Sequence, residues 1–323
     1  MTFTKESIRI DPAAEADRIV SELRRVARQV MRRGGGVVGI SGGVDSAVVL
    51  ALTVRAFDPE RVVALIMPEK DSEPMSEQLA RELARQFGVQ PVREDITPTL
   101  EGFGCYQRRD EAVRRVFPEY DAAAGYKVKI GLPPNMLEEG TLNVFSITIV
   151  APDGHSLTKP LPPAEFRQIV AGSNFKQRAR MAMLYYHAEL RNYAVIGTAN
   201  KNEHDQGFFV KHGDAGVDIR AIGHLYKTQV YQLAEHLNVP EAIRKRPPTS
   251  DTYSASCDQQ EFFFRLPFET LDLLWYAQEH QVSAAEVARA MDLTEAQVQR
   301  AFDDFKQKRR ATEFLRMAPV AVG

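Results

Sequence analysis

The stretch Val37-Val38-Gly39-Ile40-Ser41-Gly42-Gly43-Val44-Asp45-Ser46-Ala47-Val48-Val49-Leu50-Ala51-Leu52 constrains this chain most. It opens on an apolar run short enough for a buried strand and continues into an apolar segment of helical length. Between them, Ser41-Gly42-Gly43-Val44-Asp45-Ser46 reads as an anion-holding turn. Adjacent glycines let backbone N–H groups turn inward around a phosphate, and the following helix points its positive end there. Ser41 and Ser46 add hydroxyl donors. A carboxylate at Asp45 beside a phosphate is accounted for by a Mg²⁺ that neutralises the polyphosphate. The plain alternative is a glycine turn capped by Asp or Ser. Strand, loop, acidic residue and helix in one run favour nucleotide binding over it.

No Lys follows the glycines, so the loop is not a Walker A motif. SGGVDS instead resembles the PP-loop of the ATP pyrophosphatases, which hold the pyrophosphate end of ATP and release PPi after adenylating a substrate. NAD synthases, GMP synthases, asparagine synthetases and tRNA-modifying thiolases share it. The loop implies the chemistry of ATP and leaves the second substrate open.

The flanking chain reads as alternating strand and helix. Asp11 and Pro12 start a helix with Ile19, Val20, Leu23, Val26, Ala27, Val30 and Met31 on one face, ended by Gly34 to Gly36. Arg61 to Met67 reads as a strand, Pro74 to Phe87 as a helix and Pro91 to Asp95 as a strand. Pro68 to Pro74, at a ligand-side strand end, suits a flap over ATP or an ordinary solvated loop. Residues 102–163 break the alternation, with a hairpin signal at Pro152-Asp153-Gly154 between Thr141 to Val150 and Ser156 to Leu161. A stretch of that length predicts a structured insertion. The pattern resumes with a helix from about Asn174 to Leu190, the strand Tyr193 to Thr198, and a helix from Lys227 to about Leu237. Arg246 to Asp251 reads as a rigid turn, and the last part is helical: Glu261 to Gln278, then a helix capped near Thr294. The expected architecture is α/β, a Rossmann-like doubly wound parallel sheet of the adenine nucleotide alpha hydrolase-like kind. It carries an inserted β-hairpin segment and a helical C-terminal region. The expected organisation is one domain over 1–255, insertion included, with 256–323 as its helical extension.

Several function classes fall away on composition. With 41 basic and 43 acidic residues the charge is −2, so nucleic acid is not an expected partner. Cys105 and Cys257 lie far apart and in no CxxC, which disfavours a disulfide framework, a zinc site and a tRNA thiolase. No apolar run has membrane-spanning length and the N-terminus lacks a signal-peptide core, so a cytoplasmic, membrane-free protein is expected.

The polar motifs then narrow the family. In order they are SGGVDS, NFKQRAR, GTANKNE, GFFVKHGDAGVD, LYKTQ and PPTSD. Together they are similar to an NAD synthase of the ammonia-dependent kind, from about residue 10 to 115 and 170 to 317. Such enzymes adenylate the nicotinate carboxylate of deamido-NAD with Mg·ATP and let ammonia displace AMP. They are Rossmann-like homodimers with the dinucleotide near the subunit interface. The resemblance implies that Ser41, Gly42, Gly43, Val44, Asp45 and Ser46 cradle the phosphates of ATP, and that Thr198 and Thr249 contact it. It implies Mg²⁺ on Asp45 and Glu203, whose hard oxygens suit that ion. Lys227 would lie against the phosphates, where a positive charge helps PPi depart, making Asp45 and Lys227 the catalytic pair. Arg178, Lys211, Asp218 and Lys308 would bind deamido-NAD, Gln307-Lys308 standing where the family has His-Lys. No side-chain nucleophile is needed, and Cys257, His204 and His212 are bystanders in this reading.

Two stretches do not fit a minimal enzyme of that family. Residues 102–163 have no counterpart in its compact bacterial form. Within Ser254 to Phe264 the run Cys257-Asp258-Gln259-Gln260 stands where an acidic flap is usual, so both could border the acyl substrate. Two alternatives therefore stand beside the leading one: an amide ligase acting on a different carboxylate, and a non-catalytic nucleotide-binding regulatory protein. Intact Asp45, Glu203 and Lys227 speak against the latter. The residues before 37 leave no room for a glutamine amidase domain, so ammonia is the expected nitrogen donor, with a separately encoded glutaminase as one source.

Overall fold

The computed structural model describes residues 2–133, 135–137, 144–249 and 252–322, without the side chains of Gln260 and Glu261. The strand expectation at 141–143 and the turn residues Ser250 and Asp251 lie outside the described residues.

The chain begins with α1 (Pro12–Arg25), capped by Asp11, whose carboxylate accepts from the N–H groups of Ala13 and Ala14. Ile19, Val20, Leu23 and Ala27 are buried as expected, but Val30 is 63 % exposed. Residues Val26–Val30 wind as a π-turn closed by Met31 N–H on the Val26 carbonyl at 2.9 Å. The wider turn breaks the 3.6-residue register and rotates Val30 to solvent.

Strand β1 (Gly36–Gly39), helix α2 (Val44–Phe57), β2 (Val62–Ile66), α3 (Pro74–Gln86) and β3 (Val92–Arg93) follow in alternation. After α4 (Thr97–Gly102) and α5 (Cys105–Val116) come β4 (Lys127–Gly131), β5 (Ser146–Val150) and β6 (Ser156–Pro160). The long helix α6 (Pro163–Arg191) leads to β7 (Ala194–Gly197), α7 (Lys201–Gln206), β8 (Ile219–Arg220), α8 (Lys227–His236) and α9 (Glu241–Lys245). The C-terminal region is α10 (Phe268–Glu279), α11 (Ala284–Met291), α12 (Glu295–Ala311) and α13 (Glu313–Arg316).

The main sheet is parallel, in the order β3-β2-β1-β7-β8. Its central strands are buried on both faces, which is why they read as continuous apolar runs rather than as alternating ones. Val38, Ala64 and Ile66 enter one core with α1, α2 and α8; Val37, Val63 and Leu65 enter another under α6. Helix α2 is apolar nearly all round because it lies inside the first core: Val48, Leu50 and Leu52 are fully buried. Each such side chain contributes about 1.5–3 kcal/mol.

The expected insertion holds a second, antiparallel sheet in the order β4-β5-β6. Its β5–β6 hairpin turns at Pro152-Asp153-Gly154, with Val150 opposite Ser156. The expected helix from Glu261 is interrupted. A π-turn over Gln260–Phe264 ends at Arg265, whose φ is 62°, and α10 begins only after Pro267. In the C-terminal cluster Trp275 meets Phe305 edge-on, ring centroids 5.2 Å apart. Cys105 and Cys257 are both free and buried. Among the described residues no helix is long and apolar enough to cross a membrane.

Candidate functional site

The strand order reverses at β1, so the chain leaves β1 and its neighbour β7 at a topological switch point, where open α/β sheets hold ligands. Ser41 to Gly43 leave β1 and turn directly into α2. Gly42 has φ +74°, and a Cβ there would lie 2.6 Å from the Ser76 carbonyl oxygen, so both backbone and space demand glycine. Gly43, in extended conformation, is the N-cap of α2 and carries no capping side chain. The Ser46 hydroxyl donates to the Gly43 carbonyl at 3.0 Å and accepts from Ser41 N–H at 3.3 Å. A cavity of about 1040 Å³ opens onto this turn, lined by Ser41, Gly43, Val44, Asp45 and Ser46.

The chain leaving β7 delivers the second half. Asn200 caps α7 through a capping box: its side chain accepts from Glu203 N–H at 3.1 Å, and Glu203 Oε2 accepts from Asn200 N–H at 3.2 Å. The fully buried Asn200 also donates to Asp45 Oδ1 at 3.0 Å. One asparagine thus holds both expected metal carboxylates. Lys227, the first residue of α8, is fully buried and its ammonium pairs with Asp45 Oδ2. Burial alone would depress that lysine, but Asp45 and Glu203 outweigh it and hold it above its ordinary range, so it is a fixed cation. Burial first, then the Asp45 charge, push the Glu203 carboxyl up to about 8. Three motifs far apart in sequence converge here.

Thr198, Thr249, Arg178 and Lys211 also line the cavity. The Lys211 ammonium donates to the carbonyls of Phe314 and Met317 at 2.9 and 3.0 Å. Asp218 and Lys308 do not line the cavity. Asp218 accepts from the Tyr185 hydroxyl and from Val195 N–H, both at 2.9 Å, and so joins α6 to β7. Lys308 is buried, donating to the Phe263 carbonyl at 3.0 Å and paired with Asp304 at 2.8 Å. In this single chain both of these residues serve packing.

Other groups belong to the site although sequence reasoning gave them no role. Asn200 could have been found, because Asn200-Lys201-Asn202-Glu203 is a capping-box pattern. Gln259 donates to Glu203 Oε1 at 3.1 Å. It arrives by long-range pairing, Thr249 bridging Asp258, and nothing local announces that. Asp214 lines the cavity and accepts from Val210 N–H at 2.7 Å, and burial pushes its carboxyl up to about 6. Buried Asp272 accepts from the Asn202 amide and from Thr228 N–H at 2.7 Å, anchoring the start of α8 and with it Lys227. The loop Pro68 to Pro74 does line the cavity, but buried ion pairs through Glu69 and Asp71 tie it down.

The donor set suits Mg²⁺, which takes hard carboxylate oxygens. Two carboxylates converge beside a phosphate-type turn, and one of them, Glu203, is driven toward its neutral form first by burial and then by the other's charge. A divalent cation relieves that repulsion. Among the described residues no group of three or more His, Cys, Asp or Glu forms a full cage. An Mg²⁺ held there by two carboxylates would complete its shell with phosphate oxygens and water.

The NAD synthase family model matches residues 16–117 and 142–319. The segment left unmatched, 118–141, is shorter than the insertion expected at 102–163. The NH(3)-dependent NAD(+) synthetase of Rhizobium meliloti is 47 % identical over 322 residues, covering 100 % of this chain and 95 % of its own. Among solved structures, the NH3-dependent NAD synthetase from Campylobacter jejuni superposes with a TM-score of 0.63 at 22 % identity, over 97 % of this chain and 100 % of that one. The NMN synthetase from Francisella tularensis superposes with a TM-score of 0.61 at 22 % identity, over 97 % and 99 %.

Proposed function

The chain belongs to the NAD synthase family, and from that premise we propose how its cavity works as an ammonia-dependent ligase. It amidates the nicotinate carboxylate of deamido-NAD with ATP and ammonia, giving NAD, AMP and PPi. The observation that carries the reading is the convergence of Asp45, Glu203 and Lys227 beside the Ser41–Ser46 turn. Ser41 to Ser46 bind the phosphates of ATP, and Thr198 and Thr249 contact the nucleotide. Asp45 and Glu203 hold Mg²⁺, which supplies neutralisation of polyphosphate charge.

In the first step the substrate carboxylate oxygen attacks the α-phosphorus, the bond to the β-phosphate oxygen breaks, and PPi leaves. Negative charge gathers on PPi, and the buried, permanently charged Lys227 stabilises it without reorganising. In the second step ammonia attacks the acyl carbonyl, AMP leaves, and nitrogen gives up one proton. The chain's part is positioning and charge. Arg178 and Lys211 supply cations for the dinucleotide phosphates. For Asp218 and Lys308 a substrate contact would require release of the packing bonds they make here. We further propose a cytoplasmic homodimer, with ammonia free in solution or delivered by a separate glutaminase.

The fold itself does not choose the acyl substrate, since the NMN synthetase from Francisella tularensis shares it. That favours one second reading, a ligase for a different carboxylate. Competing deamido-NAD against nicotinate mononucleotide decides between them. The proposal predicts a kcat/KM at least about tenfold higher for deamido-NAD. The reverse preference overturns it.

A further inference from the structure

A cluster of buried charges lies beside the cavity and takes no part in the chemistry above. Lys176, with a side chain 1 % exposed, donates to Glu69 Oε1 at 2.9 Å, to Asp71 Oδ2 at 2.7 Å and to the Thr252 carbonyl at 2.9 Å. Arg109, from α5, pairs with Asp71 and with Asp110 Oδ1 at 2.8 Å. The Tyr106 hydroxyl donates to Glu69 Oε2 at 2.7 Å. Burial pushes the Asp71 carboxyl upward, but Lys176 and Arg109 more than offset that and leave it below its ordinary range. A second tie runs parallel: Arg246 donates to Glu73 at 2.8 Å and to Ser76 at 2.9 Å.

Buried ion clusters give little net stability over apolar packing of the same volume, because desolvation consumes the Coulomb gain. What this cluster adds is direction. Lys176 sits on α6 and reaches two separate cavity-lining segments: the loop Pro68 to Pro74, and Thr252, three residues beyond Thr249. We propose that Lys176 is a positioning residue for ATP, fixing these two segments relative to each other. Arg109 makes that fixation depend on α5, at the start of the region that interrupts the α/β alternation. This rests on the cavity being the ATP site.

Lys176→Met alone would strand two buried carboxylates, so the test variant is the charge-balanced Glu69→Gln/Lys176→Met. Hydrogen exchange of the nucleotide-free chain reads the clamp, and steady-state kinetics reads its consequence. The expected result is about tenfold faster exchange in peptides spanning 68–74 and 252–256, with β1 and α2 unchanged. The KM for ATP rises about tenfold while kcat holds within about threefold, and Lys176→Arg recovers most of the loss. Unchanged exchange in a folded double variant overturns the proposal, as does an arginine variant no better than the double one. Should the double variant fail to fold, Glu69→Gln alone carries the test: faster exchange at 68–74 sustains the proposal and unchanged exchange overturns it. Absence of NAD formation by the unaltered chain would count against the proposed function, whereas the exchange arm would still read the clamp.

Discussion

Asp45→Asn separates the electrostatics of catalysis from those of folding. In the native chain Asp45 Oδ1 accepts from Asn200 at 3.0 Å and Oδ2 accepts from Lys227. Asparagine keeps the first acceptor and turns an NH₂ group toward the Lys227 ammonium, donor against donor. Leaving a buried ammonium without a counter-charge ordinarily costs about 3–5 kcal/mol. Here a replacement is at hand. Glu203 is held up to about 8 by burial and then by the Asp45 charge, and removing that charge lets its carboxyl ionise lower and serve Lys227. The folding penalty should therefore stay near that of one lost charged hydrogen bond, about 1.5–3 kcal/mol. Catalysis would have no such reserve, because in the proposed mechanism both carboxylates hold the cation against the polyphosphate. Losing several kcal/mol of charge stabilisation, taken as about 4, lowers kcat/KM about 10³-fold. AMP formation measured alongside thermal melting separates the two effects. A folded Asp45→Asn protein with turnover within about tenfold of the parent would refute the assignment of Asp45 to the cation.

Two further predictions follow from single residues. Gly42→Ala meets both a φ of +74° and the Ser76 oxygen at 2.6 Å, so it should destabilise by about 1–3 kcal/mol and weaken ATP binding; an unchanged melting temperature would contradict the geometry. Burial raises Asp272 to about 6 in the folded chain against an ordinary 3.8, so the folded state binds the extra proton. Its contribution is present below about pH 4 and is lost as pH rises through about 6, roughly 3 kcal/mol in all. The stability difference between the parent and Asp272→Asn should shift by that amount between pH 4 and 7, and parallel curves would show that Asp272 is ionised throughout.

Legibility followed the source of each element's stability. The Asp11 cap, the Ser41–Ser46 turn and the hairpin at Pro152-Asp153-Gly154 are local devices, and each lies where its residues place it. Helix α5 escaped reading because its inner face carries Arg109 and Asp110, buried in ion pairs rather than apolar contacts, so the hydrophobic period is interrupted. Helix α6 begins eleven residues earlier than Asn174, at Pro163. Its Gly172 and Ser173 resemble a break, yet Gly172 allows close approach of α5: a Cβ there would sit 3.3 Å from the Cys105 carbonyl. In the site, motif residues following β1 and β7 converge as expected, because strand ends at a switch point are neighbours whatever the loops do. Gln259 and Lys176 lie in stretches the sequence singles out, but what they bind was not legible there, for the opposite reason. Their partners Glu203, Glu69 and Asp71 are 56, 107 and 105 positions away and meet only after folding.

The proposed function stands on one step, the transfer of adenylate from ATP onto a carboxylate. Deamido-NAD carrying ¹⁸O in its nicotinate carboxylate, incubated with the purified chain, ATP and ammonium, tests that step atom by atom. One carboxylate oxygen becomes the bridge to the α-phosphorus and stays with AMP when nitrogen displaces it. Adenylate transfer puts one labelled oxygen in each AMP formed and none in PPi. Label in inorganic phosphate, with ADP as the companion product, would mean attack at the terminal phosphate and would rule adenylate transfer out.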